Sequence, residues 1–195
     1  MVEEESKYHL HQVFENTSSF PKGLRQTQFE DCFFKKCDFS AANFSGCDFM
    51  QCVFEDCNLS MVKFKGNGLD QVQFNDCKMI GVDFSNAKDF LFSVNFKNCI
   101  LDYAAFMKRK SKKSHFNSCS LKGADFSDAD LTGTLFTNCD LYTAVFEHSI
   151  LNGVDFSTAF NFNIHPERNA LKKARFALAG LPSLLSAYGI VVDES

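Results

Sequence analysis

Nine cysteines, five histidines, a recurring Asp or Asn and one dense run of cations are the residues of this chain with chemistry to offer. Cys32, Cys37, Cys47, Cys52, Cys57, Cys77, Cys99, Cys119 and Cys139 could form disulfides, hold a metal or simply pack. His9 and His11 are spaced to share a metal ion, but no third ligand lies near them in sequence, and His115, His148 and His165 stand alone. Asp38, Asn43, Asp48, Asp125, Asp130, Asp140 and Asp155 look like a supply of paired carboxylates for acid–base work. Lys108, Arg109, Lys110, Lys112 and Lys113 make a cationic contact suited to an acidic partner surface. No Gly-rich phosphate loop, no G-x-S-x-G elbow and no CxxC pair is present.

Spacing decides among these readings. From Phe34 to Phe84 a large apolar residue falls at every fifth position, and the pattern resumes at Leu91 and runs to Phe156, failing only at Ser111. A small residue stands two positions earlier, as in Ala42, Val72, Val82, Ala124 and Val154. In extended chain, residues two apart share a face, so the small and large residues point inward together and the polar ones point out. A helix would need spacings of three and four. All nine Cys occupy the small inward slot, which predicts buried, reduced thiols, and Cys37, Cys57, Cys77, Cys99, Cys119 and Cys139 recur every 20 residues, or 22 across the insert. The Asp and Asn residues recur because an outward slot needs a polar group. The expectation is therefore no catalytic residues, no metal and no cofactor.

Two irregularities interrupt the repeat. Phe84 to Leu91 spans seven residues instead of five, and counting it as one side preserves an alternation of Phe with Leu or Met, so the insert is expected to bulge from a corner. In the basic run, regular register would turn Arg109 and Ser111 inward, and burying an unpaired guanidinium is costly. That side is predicted to bulge outward, with Asp128 and Asp130, one coil on, available to Lys108 and Lys110.

The chain has 195 residues, 45% of them hydrophobic, with 24 Phe, no Trp and a formal charge of -4, which argues against direct nucleic-acid binding. No apolar run is long enough to span a membrane and the start has no signal-peptide pattern, so a cytoplasmic location is expected. Residues 1–13 read as an N-terminal cap, 14–163 as the repeat region of about seven coils, each rising about 4.8 Å, and 164–195 as a capping segment. Within that last segment Pro166 is placed to start a helix reaching about Lys172, Ala174 and Phe176 look like one last inward pair, LPSLLSAYG reads as a second helix stopped by Gly189, and Ile190, Val191 and Val192 as a strand. Leu181, Leu184, Leu185, Tyr188 and Ile190 exceed what a lid over one coil needs, which points to a homodimer interface.

The units CDFSAANF, GADFSDADL and GVDF resemble the pentapeptide-repeat family over about residues 29–163. That resemblance implies an all-β solenoid, a right-handed quadrilateral parallel β-helix with four units per coil, in which the six cysteines 20 or 22 residues apart form a ladder on one wall, poorly aimed for disulfides. The order of His165-Pro166, LKKARF and LLSAYGIVV resembles the C-terminal segment of the Qnr-type quinolone-resistance proteins. Those are non-catalytic dimers joined through this tail, acidic rods that bind DNA gyrase and topoisomerase IV as DNA mimics. The resemblance implies a type II topoisomerase as partner. Two features depart from the pattern: the two-residue insert near Lys88-Asp89 replaces two long loops, and the basic run interrupts an acidic surface. The alternative is a scaffolding module for an unrelated partner, docked through that run.

Overall fold

The computed structural model describes residues 8–18 and 26–190. The five-residue units wind into a right-handed quadrilateral β-helix in which parallel pairing recurs at an offset of one coil, from Tyr8 opposite Gln28 to Asp155 opposite Arg175. Each unit turns a corner two residues after its large inward residue, and that corner residue takes a left-handed conformation at Asn16, Asp31, Asp56, Asp76, Asn98, Asp128 and Asn138, among others. Asn and Asp tolerate this backbone better than bulkier residues, which is why polar side chains recur there.

The inward residues form four columns, one per wall. On the first wall the rings of Phe14, Phe34, Phe54, Phe74, Phe96, Phe116, Phe136, Phe156 and Phe176 stack with centroids 4.4–5.2 Å apart. On the third, opposite wall Phe64, Phe84, Phe106, Phe126 and Phe146 stack at 4.9–5.1 Å. The two columns meet edge to face across the core, as Phe96 meets Phe106 at 5.9 Å and Phe116 meets Phe126 at 6.0 Å. Both geometries are favourable for aromatic pairs, so one residue type serves two kinds of contact. Leu59, Met79, Leu101, Leu121 and Leu141 fill the second wall, and Phe29, Phe49, Leu69, Leu131 and Leu151 the fourth, all buried.

The nine cysteines are free and buried. In the ladder each thiol donates to backbone carbonyls, as Cys57 Sγ does to Phe34 O and Glu55 O at 3.3 Å. Burial pushes the Cys47 thiol up, and the Cys52 thiol up to about 12. The thiolate is the reactive form. Thiol titration of native protein at pH 8 should therefore proceed slowly and reach all nine only in denaturant; rapid labelling of the native chain would overturn the inward register.

Pairing does not stop at residue 163. Ala170 bridges Ile150, Arg175 bridges Asp155, and Phe176 stacks on Phe156 at 5.2 Å, the last inward pair anticipated at Ala174 and Phe176. The helix expected from Pro166 to Lys172 is only a 3-10 turn over Pro166–Arg168. It ends early because Asn169 Nδ2 donates to Phe146 O and His165 O, which returns the chain to the fourth wall. Helix α1, Leu181–Leu185, continues as a 3-10 turn over Ser186–Tyr188 and stops at Gly189, whose φ of 64° suits a residue without a side chain. Of the strand expected next, Ile190 is exposed and outside any strand, and Val191 and Val192 lie beyond the described residues.

Candidate functional site

The recurring carboxylates are braces for the backbone. Asp38, Asp83, Asp125, Asp130, Asp140 and Asp155 each accept, through Oδ1, the N–H two residues on. This local turn is a common use of Asp and Asn. Hydrogen bonds from the Ser157 side chain and backbone hold the Asp155 carboxyl below the usual range. These groups are ionised acceptors already in use, which removes the acid–base reading. Among the described residues no group of His, Cys, Asp and Glu could hold a metal ion. His9 and His11 have separate surroundings: the His9 ring stacks on Phe29 at 4.9 Å at the open end of the fourth column, and His11 faces Asp31. An aromatic ring in an inward slot saves apolar burial there, so His9 acts as the last member of a stack.

The two irregularities of the sequence are one structural feature on the fourth wall. Phe92, and not Leu91, pairs with Leu69 and fills the inward slot, with a register shift before Val72 meets Val94. Leu91 is displaced because Gly68 below it has no side chain: a Cβ there would stand 2.9 Å from both Leu91 Cδ1 and Asp48 Oδ1. The chain between forms a 3-10 turn, Asp89–Leu91, that leaves Phe90 81% exposed. Lys88 ties the insert to the coil two below it through Asp48, with Nζ 2.7 and 2.9 Å from the two carboxylate oxygens.

The predicted outward bulge at Arg109 and Ser111 does not occur. Arg109 and Ser111 are buried in the regular inward slots. The guanidinium is paired after all: Nη1 donates to Ala87 O and to Asp89 Oδ1, the latter at 2.9 Å. The insert supplies both acceptors, so the neighbouring coil compensates the buried charge, while Arg109 Nε is left without a hydrogen-bond partner. No backbone hydrogen bond joins the coil of Phe92 to that of Lys110 on this wall, and the guanidinium spans the gap. Lys110 bridges Asp130 through backbone, but the ion pair with Asp130 is made by Lys112, at 2.9 Å, in place of the expected Lys110. Lys108, Lys110 and Lys113 are exposed and have no ion-pair partner among the described residues.

The tail closes the upper end. Gly180 lies so close to Phe162 that a Cβ would stand 2.6 Å from its ring, and Ser186 Oγ donates to Asn163 Oδ1 at 3.0 Å. Leu184 packs against the core and Leu185 is half-buried, so of the expected interface residues Leu181, Tyr188 and Ile190 face outward. Leu178 in the tail is 84% exposed, and Phe160, opposite Asp140 on the second wall, is exposed as well; neither was singled out by the sequence. The described residues offer shallow grooves, one along the first wall past Asn95 and His115 and one beside Glu147 and Arg168. No helix among them is long and apolar enough to cross a membrane.

Residues 27–106 match the family model of the pentapeptide repeat region, and residues 119–157 that of pentapeptide repeats in eight copies. No curated protein matches the chain. Among solved structures it is similar to a trypsin-treated form of QnrB1, a plasmid-mediated fluoroquinolone resistance protein, at 21% identity over 95% of this chain and 100% of that one, with a TM-score of 0.64. A second trypsin-treated form of the same protein gives 19% identity over 97% and 100%, with a TM-score of 0.63. The likeness is one of fold.

Proposed function

Because this chain belongs to the pentapeptide-repeat family, we propose that it is a non-catalytic binding rod, dimeric through its C-terminal segment, whose partner is a type II topoisomerase such as DNA gyrase. The observation that carries the reading is the likeness to QnrB1 over 95% of the chain, joined to a tail that closes the upper end and exposes Leu178, Leu181, Tyr188 and Ile190. Such an end face is suited to a second copy, since a symmetric pair covers it on both chains at once. Among the described residues the grooves are shallow, and the recurring Asp38, Asp83, Asp125, Asp130, Asp140 and Asp155 brace the backbone, which supports a surface role over an enzymatic one.

A supercoiling assay with purified gyrase, with and without a fluoroquinolone, tests this. The wild-type protein should inhibit supercoiling or relieve the drug at micromolar dimer. A variant carrying Leu178→Asp and Leu181→Asp should sediment as a monomer, keep its β signal and lose most of the effect. No effect of the wild-type protein on either reaction would discard the topoisomerase; a variant that stays dimeric would discard the tail as the interface.

A second reading is favoured by charge. Acidic groups on the fourth wall, Glu30, Asp31 and Asp70, give way to Lys110, Lys112 and Lys113 and end in Lys172 and Lys173. A duplex mimic needs an unbroken acidic stripe, and this wall alternates. In that reading the rod is a scaffold whose basic run, Lys108 to Lys113, docks an acidic partner.

A further inference from the structure

We propose that the fourth wall from Phe90 to Lys113 is a docking site for an acidic polypeptide segment bearing an apolar residue, with Phe90 as its anchor. This deepens the binding-rod reading and does not depend on the topoisomerase. Phe90 exposes 81% of its surface, an unusual degree for a Phe in a chain that buries nearly all the others. It does so from a fixed support. Before it Lys88 is clamped to Asp48 and Asp89 to Arg109, whose side chain is only 9% exposed, and after it Leu91 lies against Gly68 and Phe92 pairs with Leu69. A rigid, exposed aromatic loses little freedom when it is covered, which is the property of binding hot spots.

Cations lie on the coil above the anchor. Asp89 holds Arg109, so Phe90 sits beside the segment carrying Lys108 and Lys110, and neither these nor Lys113 has an ion-pair partner among the described residues. Arg109 itself is neutralised by Asp89 and takes the part of a positioning residue. The wall also lacks a rung here: the backbone of Lys110 makes no hydrogen bond to the coil of Phe92, although it bridges Asp130 above. An interrupted ladder leaves main-chain groups available to an extended segment, and an extended acidic peptide meets both requirements. The alternatives of a folded acidic surface and of any polyanion are outcomes of the test.

A fluorescein-labelled peptide of alternating Glu and Leu, titrated against the full chain by anisotropy, is the probe. Binding should weaken about tenfold in Phe90→Ala and by at least as much in the triple variant Lys108→Ser, Lys110→Ser, Lys113→Ser. A control variant at Lys172 and Lys173 should bind as wild type, and all should melt together. A Glu–Ser peptide should bind far more weakly than Glu–Leu, and duplex DNA no better than Glu–Ser. If Phe90→Ala binds like wild type, or if DNA and Glu–Ser compete as well as Glu–Leu, the site is a plain polyanion surface and the proposal falls. Absence of any peptide binding overturns it equally, while leaving the outcome of the supercoiling assay untouched.

Discussion

Phe116→Ala should lower stability by about 3–5 kcal/mol, which for a chain of this size corresponds to a fall in melting temperature of roughly 6–20 °C. Phe116 is fully buried and stacks at 4.9 Å on both Phe96 and Phe136. It also meets Phe106 and Phe126 edge to face at 5.7 and 6.0 Å. A truncated ring therefore breaks contacts along the column and across it, and a wall held by hydrogen bonds to coils above and below cannot collapse into the hole. Since each coil touches only its neighbours, the loss should also split melting into two stages by calorimetry. A single transition shifted by less than 2 °C would show that the columns carry little of the stability.

Asp89→Ala should destabilise by about 1.5–3 kcal/mol, the range for a hydrogen bond to a charged group, whereas Arg109→Ala should come within about 1 kcal/mol of wild type. The asymmetry follows from burial. Removing Asp89 strands a guanidinium whose side chain is 9% exposed, while removing Arg109 leaves a carboxylate that is 49% exposed and can be hydrated. Alanine fits the vacated slot, because Ala87 and Ala129 occupy the same column one coil below and above. The double variant should match Arg109→Ala alone, since the two residues act as a pair. Equal losses from the two single substitutions in a denaturant titration would show that the guanidinium is not the strained partner.

That pair also marks where the sequence was legible and where it was not. The spacing of Phe and Cys disclosed the walls, the thiol ladder and the last inward pair at Phe176, because a slot repeated many times averages out any single residue. The insert has no such averaging. Leu91 and Phe92 are both apolar, and only the missing side chain of Gly68 in the coil below decides which turns inward. The cost of burying an unpaired cation predicts an outward Arg109 only while no partner is in view, and its partner lies one coil below: Asp89 precedes it by 20 residues, a spacing present in the sequence. In the tail, a run of Leu signals an apolar segment without saying which leucines face the solenoid, so Leu184 and Leu185 could not be told from Leu181.

The ladder resumes its 20-residue step as soon as the insert is passed, with Asn95 opposite His115 and Ile100 opposite Ser120. Coils are in this sense interchangeable, and gain or loss of a whole one would leave the Phe90 outcrop and the tail each intact. Only the distance between them would change, in steps of about 4.8 Å. The fold thus behaves as a ruler: its length can drift in evolution in fixed increments until two contact points match the spacing of a partner, with no change to the chemistry of either.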